Sequence, residues 1–129
     1  MTYDQKLVTA SLAKATRKLA AAKNSLGSED YEEAVSRAYY AVFHATRALL
    51  FSEGIETKTH AGLKSLFGLH FIETGKIDPQ YAKYLRNLKD DREESDYEVY
   101  SSIDSDDAST ALEEAEAFLD MAKAYFQAR

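Results

Sequence analysis

The chain has 129 residues, of which 45% are hydrophobic and 29% charged, with a formal net charge of −6; this composition is typical of one globular domain. It contains no cysteine, which excludes disulfides, thiol nucleophiles and cysteine metal sites. The charge is uneven, because residues 1–50 carry seven Lys/Arg and five Asp/Glu, whereas residues 51–129 carry nine and seventeen. Phosphate binding requires a basic patch, so any RNA contact must use a local one, for which the first two helices are the natural place.

The first two predicted helices span about 3–26 and about 30–53. Gly27 and Gly54 end them, and Ser28 is the predicted N-cap of the second. Apolar residues recur along the first helix at spacings of four and three, as an amphipathic helix requires: Val8, Leu12, Ala15, Leu19, Ala22 and Leu26.

A third helix is predicted over about 59–74, with Thr57 or Thr59 as its cap. A fourth begins at Asp78-Pro79 and reaches about residue 92, and a fifth runs over about 106–127. One stripe of the fifth helix is apolar: Ala108, Ala111, Ala115, Phe118, Ala122 and Tyr125.

The segment EESDYEVYSSIDSDD, residues 93–107, breaks the helical pattern and is predicted to be a loop. The chain shows no strand pattern, internal repeat or low-complexity segment. Long helices with short connections pack as antiparallel neighbours. We therefore predict an all-α fold, an antiparallel bundle of about five helices, as a single domain over residues 1–129.

Targeting and metal signals are missing from the sequence. It has no signal-peptide pattern and no apolar run near the ~20 residues of a membrane span, so we expect a cytoplasmic protein without membrane contact. It has no zinc-type histidine pair and no phosphate-binding glycine loop, so no metal and no cofactor is expected. His60 is interpreted as helping a helix start, and His70 as part of a half-buried face.

The second helix combines two stripes. Ala34, Ala38, Ala41, Ala45 and Ala48 form one, and small residues let a neighbouring helix approach closely. Arg37, Tyr40, His44 and Arg47 follow at i, i+3, i+7 and i+10 and share another. This second stripe is either the edge of a core helix, with its arginines paired to carboxylates, or a groove for a ligand or partner.

The fourth helix carries an arginine on its apolar face. Tyr81, Leu85, Leu88 and Arg92 fall at i, i+4, i+7 and i+11, so Arg92 should point inward. An inward arginine needs a partner, since an unpaired buried charge is costly. The acids around it, from Asp90 to Asp96, are either a solvated helix end or part of a site with Arg92 and Tyr97.

Several motifs together resemble the HEPN domain, in its small stand-alone prokaryotic branch. They are "RAYYAVFHA" in the second helix, "KTH" before the third, "ETGKID" after it, and "REESDY" at the end of the fourth. The resemblance covers about residues 5–127. It implies a helical bundle, commonly a homodimer with a cleft between subunits, and pairing with a minimal nucleotidyltransferase in a toxin–antitoxin system.

Toxic members of the family are metal-independent ribonucleases, whose motif is an arginine followed after four to six residues by a histidine. Arg92 matches the arginine, but Tyr97 stands where the histidine is expected, and no histidine follows Arg92. Tyrosine, with a pKa near 10, is a poor base at neutral pH. The resemblance also makes Tyr97 a candidate acceptor of AMP from the partner. Arg37 and His44 match the spelling but lie in a different helix.

Three functions follow from these residues. The first is a binding module that pairs with a nucleotidyltransferase and holds nucleotide or RNA in a cleft, with Arg37, Tyr40, His44 and Asp96 beside Arg92 and Tyr97 as ligand-binding residues. The second is a metal-independent ribonuclease toxin in which Arg92 and Tyr97, or a histidine from elsewhere in the chain, are catalytic. The third is a non-catalytic structural partner.

Overall fold

The computed structural model describes residues 4–128, and within this range the chain is helical without strands. A π-helical turn, Gly68–Ile72, continues the third helix. The helices are α1 (Gln5–Gly27), α2 (Tyr31–Ser52), α3 (His60–Phe67), α4 (Gln80–Tyr97) and α5 (Ser105–Gln127). The predicted all-α bundle of about five helices is confirmed.

Helix α2 is the centre of the bundle, packed against α1, α3, α4 and α5. Its alanine stripe has no exposed surface at any of the five positions. Because alanine adds little volume, α1 and α5 approach the α2 backbone closely on these faces. The larger core side chains around the stripe come from four helices: Val35, Val42, Leu49, Phe67, Leu85, Leu88 and Phe118.

The start of α2 differs from the prediction. Asp30, not Ser28, is the N-cap, and its carboxylate accepts from the N–H of Glu33 at 3.4 Å. Ser28 instead closes α1 by donating its N–H to the carbonyl of Asn24. Glu29 between them adopts a φ of 62°, and this left-handed residue turns the chain, so the α2 cap falls two residues later.

The third helix is capped as one of the two predicted alternatives. Thr59 Oγ1 accepts from the N–H of Gly62 at 2.9 Å, whereas Thr57 precedes the cap. The prediction of one regular helix over 59–74 is wrong in detail, because the regular α-helix ends at Phe67 and a π-helical turn follows it.

Helix α4 is longer than predicted. It continues through residues 93–97, which were predicted to be loop, and ends at Tyr97. Acidic residues at a helix C-terminus oppose the dipole, but two i,i+4 ion pairs stabilise this turn: Lys89–Glu93 at 2.8 Å and Arg92–Asp96 at 3.1 Å. The loop is therefore only residues 98–104.

The connection to α5 is anchored at its C-terminal end. Ser102 donates to the Glu94 carboxylate at 3.0 Å, and Ile103 packs partly buried against the core. Asp104 and Asp107 then form a capping box at the start of α5. Among the described helices, none is long and apolar enough to cross a membrane.

Candidate functional site

Arg92 lies inside the bundle, on the face of α4 that packs against α2. Its side chain is 16% exposed, although it carries a permanent charge. The guanidinium carbon lies 5.5 Å from the ring centre of Tyr39 and 5.3 Å from that of Tyr40. Such contacts between a cation and aromatic faces stabilise a partly desolvated charge. The predicted inward direction of Arg92 is confirmed.

The only anion paired with Arg92 in residues 4–128 is Asp96, one helical turn further on. The Nε of Arg92 lies 3.1 Å from the Asp96 carboxylate, yet this atom is buried and has no acceptor in hydrogen-bond alignment. A guanidinium offers five N–H donors. Arg92 therefore has charge and hydrogen-bonding capacity that the described chain does not use.

Four rings meet beside this guanidinium, and with it they form what we call the Arg92 cluster: Tyr39, Tyr40, Phe43, His60 and Arg92. The His60 ring lies 4.8 Å from Phe43, 5.4 Å from Tyr39 and 6.1 Å from Tyr40, measured between ring centres. Helix α2 provides three of the rings because residues 39, 40 and 43 share one side of it. Helix α3 provides His60, and α4 the cation.

A hydrogen bond joins the Tyr39 hydroxyl to Nδ1 of His60. Tyr39 is only 1% exposed, so its O–H must find its acceptor inside the protein. Burial, opposed by Arg92, raises the pKa of Tyr39 to about 12, and the hydroxyl remains a donor at neutral pH. Since Tyr39 donates to Nδ1, the proton of neutral His60 resides on Nε2.

His60 is thereby presented as a hydrogen-bond donor. Burial first, then the charges of Arg92 and Lys89, lower its pKa, with Glu93 acting in the opposite direction. The imidazole is therefore neutral at pH 7. No partner for its Nε2 is found in the part of the chain that the structure describes. An N–H donor and a guanidinium side by side are chemically suited to bind an anion such as phosphate.

Arg37 lies away from the Arg92 cluster, near the turn between α1 and α2. Its Nε pairs with Glu33 at 2.9 Å, and Nη1 donates to Ser25 Oγ at 3.1 Å. It borders a shallow cavity of about 200 Å³ lined by Asn24, Ser25, Ser28, Asp30, Glu33 and Arg37. Two carboxylates line this cavity, and one of them, Glu33, pairs with the arginine, so it does not offer a free positive charge.

His44 faces a third environment, on the α1 side of α2. It is 7% exposed, and its ring packs edge-on against Phe43 at 5.2 Å. Burial and the nearby cations Lys14, Arg47 and Lys18 lower its pKa to about 4. Of the predicted stripe of Arg37, Tyr40, His44 and Arg47, only Tyr40 belongs to the Arg92 cluster.

Tyr97 ends α4 and is 74% exposed. It follows Asp96, the partner of Arg92, but makes no hydrogen bond or ring contact with the described residues. Its hydroxyl is therefore accessible to a second protein, while its ring does not join the Arg92 cluster. Arg92 and Tyr97 are neighbours along the helix without forming one contact network.

The residue that the sequence interpretation undervalued is His60. It was assigned only to the start of α3, whereas it lies in the middle of the Arg92 cluster. Periodicity could not reveal this, because His60 is the first residue of a short helix and meets Tyr39 and Arg92 through tertiary packing. The one available signal was its presence in the KTH motif.

Carboxylates on α4 and α5 face each other beyond the Arg92 cluster. Burial and the neighbouring acids Asp107 and Glu114, with smaller effects of Glu94 and Asp90, raise the pKa of Asp91 to about 6. Burial likewise raises the pKa of Glu114, which accepts from Asn87 at 3.3 Å. Across residues 4–128, no group of three or more His, Asp or Glu is arranged to hold a metal ion.

Comparisons with known proteins place this chain in a family. The HEPN domain family matches residues 8–125. Two proteins of Methanocaldococcus jannaschii, named "Putative toxin MJ0142" and "Putative toxin MJ0605", are 33% and 36% identical, covering 88% and 84% of this chain and 78% and 81% of their own lengths. A "UPF0332 protein" of Archaeoglobus fulgidus is 42% identical over 72% of this chain and 74% of its own.

The fold itself recurs in a solved structure, the crystal structure of TT1696 from Thermus thermophilus. It superimposes with a TM-score of 0.77 at 19% identity and covers 92% of this chain and 97% of that one. At this identity the match describes the fold alone. With the family match over nearly the whole chain and relatives above 30% identity, this protein belongs to the HEPN domain family.

Proposed function

We propose that this protein is the HEPN member of a toxin–antitoxin pair with a minimal nucleotidyltransferase, and that the Arg92 cluster binds a nucleotide or RNA phosphate. The observation that carries the proposal is the state of Arg92: a guanidinium held inside the bundle over two tyrosine rings, with one carboxylate partner and unused donors. The toxin names of two relatives agree with this assignment.

Each residue of the site has a distinct role in this proposal. Arg92 binds the phosphate as a charge with a planar set of donors, and Asp96 holds it in place from the exposed side. His60 donates from Nε2, and Tyr40, which is half-buried, provides a ring on which a base stacks. Arg37 and His44, predicted as ligand-binding, are left out of the primary site because they face other surroundings.

Binding of RNA to purified protein tests the proposal, with fluorescence anisotropy as the measurement. Arg92→Ala should lower the affinity for a short RNA at least tenfold, and Arg92→Lys, which keeps the charge but not the planar donors, should fall between it and wild type. Arg37→Ala is the matched control, since it removes another arginine paired at i,i+4. Equal affinities of Arg92→Ala and wild type would remove Arg92 from the site.

Tyr97 is proposed as the residue that the partner modifies with AMP. Its exposed hydroxyl and its place next to Asp96 support this role. Mass spectrometry after incubation with the partner nucleotidyltransferase and ATP should find the adduct on Tyr97 and not in Tyr97→Phe. An adduct on Tyr100, which is also exposed, in its place would contradict the assignment.

A metal-independent ribonuclease is the second candidate, and the position of His60 is the observation that favours it. The histidine absent after Arg92 in sequence is supplied in space by α3, so an arginine and an imidazole share one cluster. In neutral His60, however, the hydrogen bond that Nδ1 accepts from Tyr39 leaves the proton on Nε2, so Nε2 has no free lone pair to act as a base. A base at Nε2 would first need the proton to move to Nδ1, which makes binding the better-supported function.

Cleavage of RNA in the presence of EDTA separates the two candidates. A ribonuclease would cleave without metal and lose activity in both Arg92→Ala and His60→Ala, but not in His70→Ala. A binding module would bind RNA and leave it uncleaved. The homodimer that the family resemblance implies is tested by static light scattering of the same samples.

A further inference from the structure

Helix α1 is purely basic, in a chain whose overall charge is −6. Between Gln5 and Gly27 it carries five Lys/Arg and no Asp/Glu, and α2 from residue 34 to Ser52 carries two arginines and no acid. Of the five cations in α1, only Lys23 has an ion pair among the described residues. The antiparallel pair α1–α2 therefore presents an unneutralised basic side.

Three of these cations converge at one place. Val8 and Leu12 of α1 pack against Ala48 and Phe51 of α2, so Lys14 and Lys18, one turn apart and further along α1, come level with His44 and Arg47. In agreement, all three cations lower the pKa of His44. We call Lys14, Lys18 and Arg47 the basic surface. None of the three has an ion pair within residues 4–128, and the Nε of Arg47 is buried without an acceptor.

The basic surface is continuous with the Arg92 cluster. The guanidinium carbon of Arg47 lies 6.0 Å from the ring centre of Phe43 and 5.2 Å from that of Phe51. Phe43 lies 6.1 Å from Tyr40, and the Tyr40 ring is 5.3 Å from Arg92. Two arginines thus stand at the two ends of one row of aromatic rings along α2.

We propose that Lys14, Lys18 and Arg47 bind the phosphodiester backbone of a single-stranded oligonucleotide whose first phosphate occupies the Arg92 cluster. Proteins that bind single strands combine a positive track for the backbone with aromatic rings for the bases. Here the basic surface is the track, and half-buried Tyr40 is the ring of this row that a base can reach, since Phe43 and Phe51 are 8% and 7% exposed. The inference rests on the proposed function and narrows it, since a mononucleotide reaches Arg92 alone whereas a strand reaches both arginines.

The test compares two RNA probes on the same variants. The probes are the dinucleotide UpU and an oligouridine of about 12 nucleotides, a length within the usual range of single-strand sites. Lys14→Gln with Lys18→Gln should lower the affinity for the oligouridine roughly tenfold at low salt. The variant should also make the slope of log K against log salt concentration less steep by about 1.4. Each phosphate that a lysine no longer neutralises accounts for about 0.7 of that slope. Affinity for UpU should stay within twofold.

The control is Arg86→Gln, which removes an exposed cation from α4 and should change neither affinity. Arg47→Gln is measured as well, with its circular-dichroism melting curve, because Arg47 also packs on two buried rings. The lysine pair lies toward solvent, so the result does not depend on Arg47→Gln folding.

The outcomes separate this inference from the proposed function. Unchanged oligouridine affinity and salt slope in the lysine variant would overturn the inference, while Arg92-dependent binding of UpU would leave the function standing. A change in oligomeric state without a change in RNA affinity would assign the basic surface to protein contact and also overturn it. Failure of wild-type protein to bind either probe would overturn both.

Discussion

Arg37 and Arg92 form the same local ion pair and yet occupy opposite situations. Each pairs with an acid one helical turn away, Glu33 at 2.9 Å and Asp96 at 3.1 Å. The Arg37 side chain is 42% exposed and shares its donors with Glu33 and Ser25, whereas Arg92 is 16% exposed and lies over two tyrosine rings. The i,i+4 spacing in the sequence predicts both ion pairs. Burial decides whether the arginine is fully paired, like Arg37, or has donors free to bind a ligand, like Arg92.

The largest expected difference between the two arginines is in binding. Arg92→Met keeps the length and apolar packing of the side chain but removes the charge, and should lower RNA affinity at least tenfold. Its free energy of unfolding should change by less than about 1 kcal/mol, because Asp96, the partner left behind, is 35% exposed and stays solvated by water. Arg37→Met should leave the affinity within twofold of wild type, as measured by anisotropy and urea unfolding.

A pH titration tests whether His44, on the α1 side of α2, contributes to stability as a buried neutral imidazole. The pKa of His44 falls from 6.5 in the unfolded chain to about 4 in the fold, so between these values the unfolded chain binds the extra proton and stability falls as the pH falls. His44→Gln should remove about 2 kcal/mol of this pH dependence, after discounting for solvent screening. Urea unfolding of both proteins from pH 7 to pH 4 measures it, and parallel curves would contradict it.

Removing the Tyr39 hydroxyl tests whether its hydrogen bond fixes the tautomer of His60 in the Arg92 cluster. Tyr39→Phe leaves Nδ1 of His60 without its donor, which should cost about 1 kcal/mol of stability and release the imidazole from a single tautomer. Nitrogen chemical shifts of His60 would show the change directly. Tyr84→Phe, which loses a bond to Gln80 at the surface, should leave both stability and His60 unchanged.

The smallest expected effect lies on the α5 side of α4. Asp91 has a pKa raised to about 6 in the fold from 3.8, so the folded chain binds more protons between these values and stability rises as the pH falls. Asp91→Asn should therefore stabilise the protein at pH 7, by about 0.5 kcal/mol after allowing for its partial exposure. The gain should vanish near pH 4, and a gain that persists there would assign it to another cause.

Local patterns predicted much of the fold. The alanine stripe of α2, the apolar stripe of α5 and the inward direction of Arg92 all follow from a 3.6-residue period, and the structure confirms them. Helix ends were less accurate, as the extension of α4 to Tyr97 and the cap at Asp30 illustrate. The end of α4 depends on two side-chain ion pairs, and the start of α2 depends on one left-handed residue. A helix that ends one or two residues earlier or later differs little in energy, so such ends are hard to predict.

The candidate site was only half visible in the sequence. Arg92 and Tyr40 were named as candidates because helical spacing places them on faces that can be computed from residue number, and Asp96 because it is one of the acids beside Arg92. His60 was not, and Tyr39 was hidden among the apolar residues of its helix, since each matters through a neighbour far away along the chain.

The sequence by itself determined five amphipathic helices, a small-residue seam and one arginine on an apolar face, because these properties reside in local periodicity and side-chain volume. Only the tertiary structure decided which rings surround that arginine and which arginine keeps an unused charge. The packing of α3 and α4 against α2 brings His60, Tyr39 and Arg92 together, and it excludes the water that would otherwise have satisfied them separately.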